Sequence, residues 1–160
     1  MCNQTSSAAV LLTVLACAFG QAAHAGEQVL DFKLVTTPIE VKTLEAKQVE
    51  GQTVGLMKAF GVASFRDGRV ASKEFIFNWD YNKGSGPFFG YSTYTFEDGS
   101  SITARFSGAL RAGQPMRGEY VVLSGTGAFS GAKGTGAFDA VTHKLSGGNL
   151  FNGKLTITTP

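Results

Sequence analysis

The sequence predicts an all-β protein, a closed antiparallel barrel of eight strands, with nine strands as the alternative. Segments with strand-like alternation recur about every 8 to 12 residues, which is the spacing typical of sandwiches and barrels. The 160-residue chain contains 21 Gly and 13 Phe, a composition that favours tight turns between apolar strands. A sheet of this size has two unpaired edges unless it closes, so closure is favoured over a sandwich.

The segment 1–25 differs from the rest of the chain and predicts a signal peptide, which leaves 26–160 as a single barrel domain. No charged residue precedes Glu27, and the apolar run Ala8–Gly20 is too short to cross a bilayer. The residues before Gly26 form the small-x-small pattern of a cleavage site. We expect an exported protein, periplasmic or secreted, without a membrane span after processing. Lipoprotein processing at Cys17 is the alternative.

Strand-like segments follow one another from Val29 to the end of the chain. Asp67-Gly68 and Asp98-Gly99 each lie between two such segments and predict hairpin turns, because glycine supplies the positive φ that a tight turn requires. Ile39–Val49 also suits a short helix, although the preceding proline favours extended chain. The predicted strands are Val29–Val35, Ile39–Val49, Val54–Phe65, Val70–Tyr81, Phe88–Phe96, Ser101–Leu110, Gly118–Ser124, Gly134–Val141 and Leu150–Thr158.

The predicted strand Val70–Tyr81 has one markedly aromatic face. Its members are Ala71, Phe75, Phe77, Trp79 and Tyr81, opposite a face that carries acidic and amide side chains. We expect the aromatic face to be buried, either in the lumen or against another subunit. An eight-stranded barrel has an interior that holds either side chains or one small ligand. The leading hypothesis is therefore that a small, mostly apolar molecule binds in the lumen.

A glycine-rich segment follows the seventh of these strands. It contains Gly125, Gly127, Gly131 and Gly134, and we expect the apolar side chain of Phe129 to pack beneath them. Neither the P-loop nor the dinucleotide-binding spacing fits, and the next segment is a strand where both motifs need a helix. Glycines at these positions are typical of sharp bends at a barrel corner.

The run from Tyr120 to Gly134, Tyr-Val-Val-Leu-Ser-Gly-Thr-Gly-Ala-Phe-Ser-Gly-Ala-Lys-Gly, resembles the glycine signature of the allene oxide cyclase and dirigent barrels. The hairpin Tyr94–Gly108 is similar to the one that precedes that signature, and the resemblance covers about Phe88 to Val141. It implies an eight-stranded barrel with a central pocket, a homo-oligomer such as a trimer, and cofactor-independent steering of a cyclisation or coupling. The segment Phe32–Thr37 lacks the Glu and Asn of the cyclases, so no catalytic residue is carried over.

Few residues of this chain support other chemistries. Both cysteines, Cys2 and Cys17, lie in the predicted leader, and His143 is the one histidine beyond it. We therefore expect no metal, no cofactor, and neither a cysteine nucleophile nor a serine triad. The net charge of +2 arises from interspersed signs, so no nucleic-acid partner is expected either.

Five polar residues are the candidate ligand-binding residues. Tyr91 and Arg105 would orient a ligand oxygen or carboxylate if their strand faces line a polar lumen, and the alternative is that both are exposed. A general acid or base at Glu97 or Glu119 would require burial. The set comprises Tyr91, Tyr94, Glu97, Arg105 and Glu119.

Two functions of different classes remain open. In the first, the lumen binds a small apolar molecule, as a carrier or as a scaffold that constrains a reactive intermediate. In the second, phenylalanines fill the barrel and outer aromatic strips bind subunits or partners. The volume of the lumen and the direction of its aromatic side chains distinguish these alternatives.

Overall fold

The computed structural model describes residues 26–143 and 148–160, which form one closed eight-stranded barrel. The predicted signal peptide lies outside the described residues. The strands are β1 Gly26–Glu45, β2 Gln52–Phe65, β3 Val70–Asn82, β4 Gly86–Phe96, β5 Ser101–Leu110, β6 Arg117–Thr126, β7 Lys133–Val141 and β8 Asn149–Thr159, with a 3₁₀ turn at Gly127–Phe129.

Each strand pairs antiparallel with the next strand in sequence, and β8 returns to pair with β1. This order is an up-and-down barrel, in which every strand lies between two neighbouring strands. The predicted fold class and the count of eight are confirmed. In the part of the chain that the structure describes, no helix is long and apolar enough to span a membrane.

The nine-strand alternative is wrong because the first two predicted strands are one. β1 runs through Pro38 and continues to Glu45, with a register shift against β2 between Pro38 and Glu40. Its pairing with β8 ends at Thr36. Pro38 therefore lies where β1 has one neighbour, so its missing N–H removes no hydrogen bond to a second strand. The short helix considered for Ile39–Val49 does not form.

The two Asp-Gly turns close one end of the barrel, as predicted. Asp67 accepts hydrogen bonds from the backbone and side chain of Arg69, with Oδ2 2.6 Å from Nη2. Asp98 accepts bonds from the N–H and hydroxyl of Ser100. Gly68 has φ +93°, which an L-residue rarely adopts. The turn residues are thus explained by local geometry alone.

Alternate residues of every strand face the barrel interior, and aromatic rings fill the end near these turns. We call this half the packed end: Phe32, Phe65, Phe96 and Phe129, with their aliphatic neighbours. The rings of Phe96 and Phe129 lie 4.8 Å apart, and those of Phe65 and Phe96 lie 5.1 Å apart. Phe129 is 1% exposed beneath the glycine-rich turn, where Gly127 and Gly131 have positive φ.

Candidate functional site

A cavity of about 170 Å³ remains inside the barrel at the end opposite the packed end. Its wall includes Met116 and Asn149, next to the connections that lead into β6 and β8, so the cavity lies at that mouth of the barrel. We call this region the cavity end. Most of the wall is apolar or aromatic. The lining residues are Leu34, Thr36, Met57, Lys73, Phe75, Phe77, Phe106, Met116, Tyr120, Phe138, Ala140, Asn149 and Phe151.

The cavity contains one basic side chain, Lys73, which is 3% exposed. Strand alternation places Lys73 on the inner face of β3 between Ala71 and Phe75. Its backbone pairs with Gly61 on β2 and with Tyr94 on β4. A buried lysine in a mostly apolar and aromatic lumen is unusual, because lysine is almost never fully buried unless it is paired.

A hydrogen-bonded chain of three side chains begins at this lysine. Lys73 Nζ donates to Tyr120 Oη at 3.0 Å, and the Tyr94 hydroxyl donates to the same oxygen at 3.1 Å. A phenol oxygen accepts two hydrogen bonds and donates one. Tyr120 has therefore used its acceptor capacity, and its own hydrogen is available to a ligand in the cavity that it lines.

Four aromatic rings surround the Lys73 ammonium. Its Nζ lies 4.9 Å from the ring centres of Phe75 and Tyr94, 5.1 Å from Tyr120 and 5.4 Å from Phe106. Electron-rich ring faces attract a cation at these distances. The rings therefore offset part of the unfavourable free energy of removing the charge from water.

Burial shifts the protonation equilibria of this cluster. Desolvation lowers the pKa of Lys73 from 10.5 to about 7, so neutral and charged forms coexist near neutral pH. Burial raises the pKa of the Tyr120 phenol, and burial together with the neighbouring Tyr120 raises that of Tyr94. Both phenols therefore stay protonated at neutral pH and act as hydrogen-bond donors.

Among the predicted ligand-binding residues, Tyr94 belongs to this cluster and the other four lie elsewhere. Tyr91 is 43% exposed, and it pairs across the outer face with Arg105, whose guanidinium packs over the ring of Phe89 at 5.8 Å. These two side chains do not line a polar lumen, because odd-numbered positions of β4 and β5 face outward. Glu97 and Glu119 are exposed, so neither has the burial that an acid-base role requires.

The sequence interpretation missed Lys73, which is the most distinctive residue of the site. The signal was present, since Lys73 has the same parity in β3 as Phe75, Phe77 and Trp79. Residue type indicates the opposite face, because lysine is rarely buried in proteins. In the segments 26–143 and 148–160, no group of three or more His, Cys, Asp or Glu side chains is arranged to hold a metal.

The comparisons with known proteins identify the fold. The sequence matches no protein-family model and no curated protein. Its structure is similar to that of the pterocarpan synthase dirigent protein GePTS1, with 16% identity, a TM-score of 0.58, and coverage of 96% of this chain and 98% of that one. The fold is dirigent-like.

Two further solved structures have the same barrel. The pterocarpan synthase dirigent protein PsPTS1 is 15% identical with a TM-score of 0.55, covering 83% of this chain and 95% of that one. A DUF3224-family protein of unknown function from Shewanella oneidensis MR-1 is 17% identical with a TM-score of 0.52, covering 85% and 98%. At these identities the similarity concerns the fold and leaves activity to be argued from the site.

Proposed function

We propose that this protein is an exported dirigent-like barrel that binds a small, mostly apolar molecule in its lumen. The observation that carries the proposal is the cavity of about 170 Å³ in a barrel whose other end is filled with aromatic side chains. Protein interiors are normally close-packed, and voids larger than a water molecule are few. A concave wall of apolar and aromatic side chains with a few polar groups is typical of a ligand site.

The volume limits the size of the ligand. An apolar protein cavity of about 150 Å³ holds one benzene molecule. The lumen of this protein, at about 170 Å³, is therefore matched to a molecule with one six-membered ring or a short branched chain. Phe75, Phe77, Trp79 and Phe106 all lie on inner faces of their strands, and they leave this space unfilled.

The proposal extends to a scaffold role. A barrel that holds a reactive intermediate in one folded conformation accelerates its cyclisation or coupling without a cofactor, because the entropic cost of ordering is met on binding. Exclusion of water by an aromatic wall suppresses hydrolysis of such an intermediate. The resemblance to the allene oxide cyclases remains a prediction, and so does catalytic turnover of a substrate.

Methionine methyl groups provide a direct test of occupancy. The chain has three methionines, and Met57 and Met116 both line the cavity. In protein labelled with ¹³C at methionine methyls, we expect toluene and benzyl alcohol to shift both signals saturably. The variant Ala140→Leu, which places a larger side chain in the same wall, is expected to weaken these shifts. If neither signal moves with any ring-sized probe, the lumen is not a ligand site.

A second candidate function, self-association, is favoured by the outer surface of β1 and β2. Val35 and Val62 form a cross-strand pair there and are 48% and 43% exposed, and Phe60 on β2 is 39% exposed. Adjacent exposed apolar side chains are typical of an interaction surface. We expect light scattering to show an oligomer that Val62→Lys dissociates. A wild-type monomer at high micromolar concentration would contradict this.

A further inference from the structure

We propose that the lumen is a binding site for a small organic acid, a ring-sized molecule that carries one carboxylate or phenolate oxygen. In this arrangement the anionic oxygen is held by Lys73 Nζ and by the Tyr120 hydroxyl, and the apolar body occupies the rest of the cavity. The inference rests on the proposed function, since it names the ligand class of the same cavity.

The Lys73 cluster has more hydrogen-bond donors than the protein's own acceptors satisfy. An ammonium group has three hydrogens. Lys73 donates one of them to Tyr120, whose oxygen also accepts from Tyr94. Two ammonium hydrogens and the Tyr120 hydroxyl hydrogen remain for a ligand. The cluster therefore offers several donors, whereas the lining residues include no carboxylate. A ligand atom that fits must be a strong acceptor.

The positive charge of Lys73 has no counter-charge among the described residues around it. Among the described residues, the ion pairs involve surface side chains only, and Lys73 is in none of them. The titratable groups that face it are Tyr94 from β4 and Tyr120 from β6, both neutral, while β2 contributes Gly61 and β5 the ring of Phe106. A buried ammonium without a counter-charge is unfavourable, and an anion supplies that charge.

Other ligand classes fit less well. A cationic ligand would meet a like charge in a low-dielectric cavity, which is strongly unfavourable. A purely apolar ligand would leave the ammonium unpaired and would add no acceptor for the Tyr120 hydrogen. A small acid satisfies both groups and places its apolar part against Phe77, Phe138 and Phe151, which line the same wall.

The pKa of Lys73 gives this site a pH dependence of predictable sign. Lysine must be protonated to bind the anion, and its pKa in the free protein is about 7. Affinity for a carboxylate is therefore expected to be flat below pH 7, as long as the acid itself is ionised, and to fall about tenfold per pH unit above it. Binding at pH 8 is expected to take up a proton, because the bound anion raises the pKa of Lys73.

The decisive experiment compares benzoate with benzamide, which has nearly the same shape and no charge. Dissociation constants at pH 6 are measured from the Met57 and Met116 methyl shifts, with 4-nitrophenol as a phenolate probe in a parallel titration at pH 7.5. We expect benzoate to bind at least tenfold more tightly than benzamide. The visible absorption of 4-nitrophenol is expected to show that the protein favours its ionised form. Binding of only one of the two acids would restrict the class to carboxylates or to phenols.

Variants separate the role of Lys73 from general packing. Lys73→Met keeps an unbranched side chain of similar length without the charge, and it is expected to abolish the preference for benzoate while benzamide still binds. Lys33→Met removes an exposed lysine from the outer face of β1 and is the matched control, with no expected change. Tyr120→Phe is expected to reduce the preference by a smaller factor.

The outcomes distinguish failure of this inference from failure of the proposed function. If benzamide and toluene bind but benzoate binds no better, the lumen is a ligand site and the acid assignment is wrong. The assignment is also overturned if Lys73→Met, folded by circular dichroism, keeps the full preference for benzoate. If no probe of any class shifts either methionine, both proposals fail together.

Discussion

The two ends of this barrel contain similar aromatic residues that are packed differently. At the packed end, the rings of Phe32, Phe65, Phe96 and Phe129 touch one another at centroid distances of 4.8 to 5.2 Å. At the cavity end, the rings of Phe75, Phe106, Tyr120 and Phe138 stand around a space of about 170 Å³. Aromatic content alone therefore does not distinguish a packed core from the wall of a cavity.

Polar side chains lie at the boundary between the packed end and the cavity end. Lys73 and Tyr94 lie between the packed aromatic cluster, where Tyr94 contacts Phe32 at 5.4 Å, and the cavity that Lys73 lines. A charged group there disfavours further apolar filling, because apolar contacts cannot satisfy an ammonium. We expect the packed end to contribute more to the stability of the barrel than the cavity end does, because its rings contact one another, whereas those of the cavity end stand around an unfilled space.

The largest expected effect is a loss of stability on truncation of a ring at the packed end. Phe129→Ala removes a ring that is 1% exposed and is expected to lower the free energy of unfolding by about 3 to 5 kcal/mol. The matched control is Phe89→Ala, at a side chain that is 44% exposed, for which we expect a loss below about 1 kcal/mol. Urea unfolding of both variants gives the comparison. Similar losses for the two would show that the ring cluster has no special role in stability.

The second-largest expected effect is an increase in stability, on replacement of Lys73 at the boundary between the packed end and the cavity end. Lys73→Met is expected to raise the free energy of unfolding at pH 6 by about 1 to 4 kcal/mol, because a buried charge is replaced by a packed apolar side chain. The pKa of Lys73 is about 7 when folded and 10.5 when unfolded, so the unfolded chain binds more protons between these values. The contribution of Lys73 to the stability of the wild-type protein therefore rises with pH between about 7 and 10.5.

The measurement is the difference in unfolding free energy between Lys73→Met and wild type at several pH values. We expect the difference to be largest below pH 7 and to shrink towards zero near pH 10. Burial raises the pKa of Tyr94 and Tyr120 in the folded protein, so below pH 10 these phenols lose protons only in the unfolded chain, where their contribution is the same for both proteins and cancels in the difference. A difference that is constant from pH 6 to pH 10 would show that Lys73 titrates at its ordinary pKa.

The smallest expected change in stability is at the cavity end. Ala140→Leu adds volume to the cavity wall and is expected to change the free energy of unfolding by no more than about 1 kcal/mol, since the new atoms enter empty space. Binding of ring-sized probes is expected to weaken at least tenfold. Stability is followed by urea unfolding and binding by the methionine methyl shifts. Unchanged binding would place the ligand somewhere other than this cavity.

Much of the fold followed from local patterns. The Asp67-Gly68 and Asp98-Gly99 turns and the strands beside them were predictable because turn chemistry and alternation act over a few residues. Local patterns did not predict that the chain continues through Pro38 as a single strand, β1. That continuity depends on the pairing between β8 and β1, which ends at Thr36. That is a property of the barrel as a whole.

The site was less accessible to sequence reasoning. Tyr94 is a predicted site residue that lies in the lumen, whereas Tyr91 and Arg105, whose predicted role required their strand faces to line the lumen, lie on the outer face. Side-chain direction reverses with each residue along a strand, so an error of one position in parity moves a residue from the lumen to solvent. The chemistry of a residue does not reveal which of the two faces it occupies.

The amino-acid sequence by itself determined the all-β class, the turns and the scarcity of histidine and cysteine, because composition and short-range backbone preferences are local properties. The tertiary structure decided that Lys73, Tyr94 and Tyr120, from three different strands, meet in the lumen. It also decided that about 170 Å³ beside them is left unfilled. Both depend on how strands distant in sequence align when the barrel closes, and strand register is set by the packing of the whole interior.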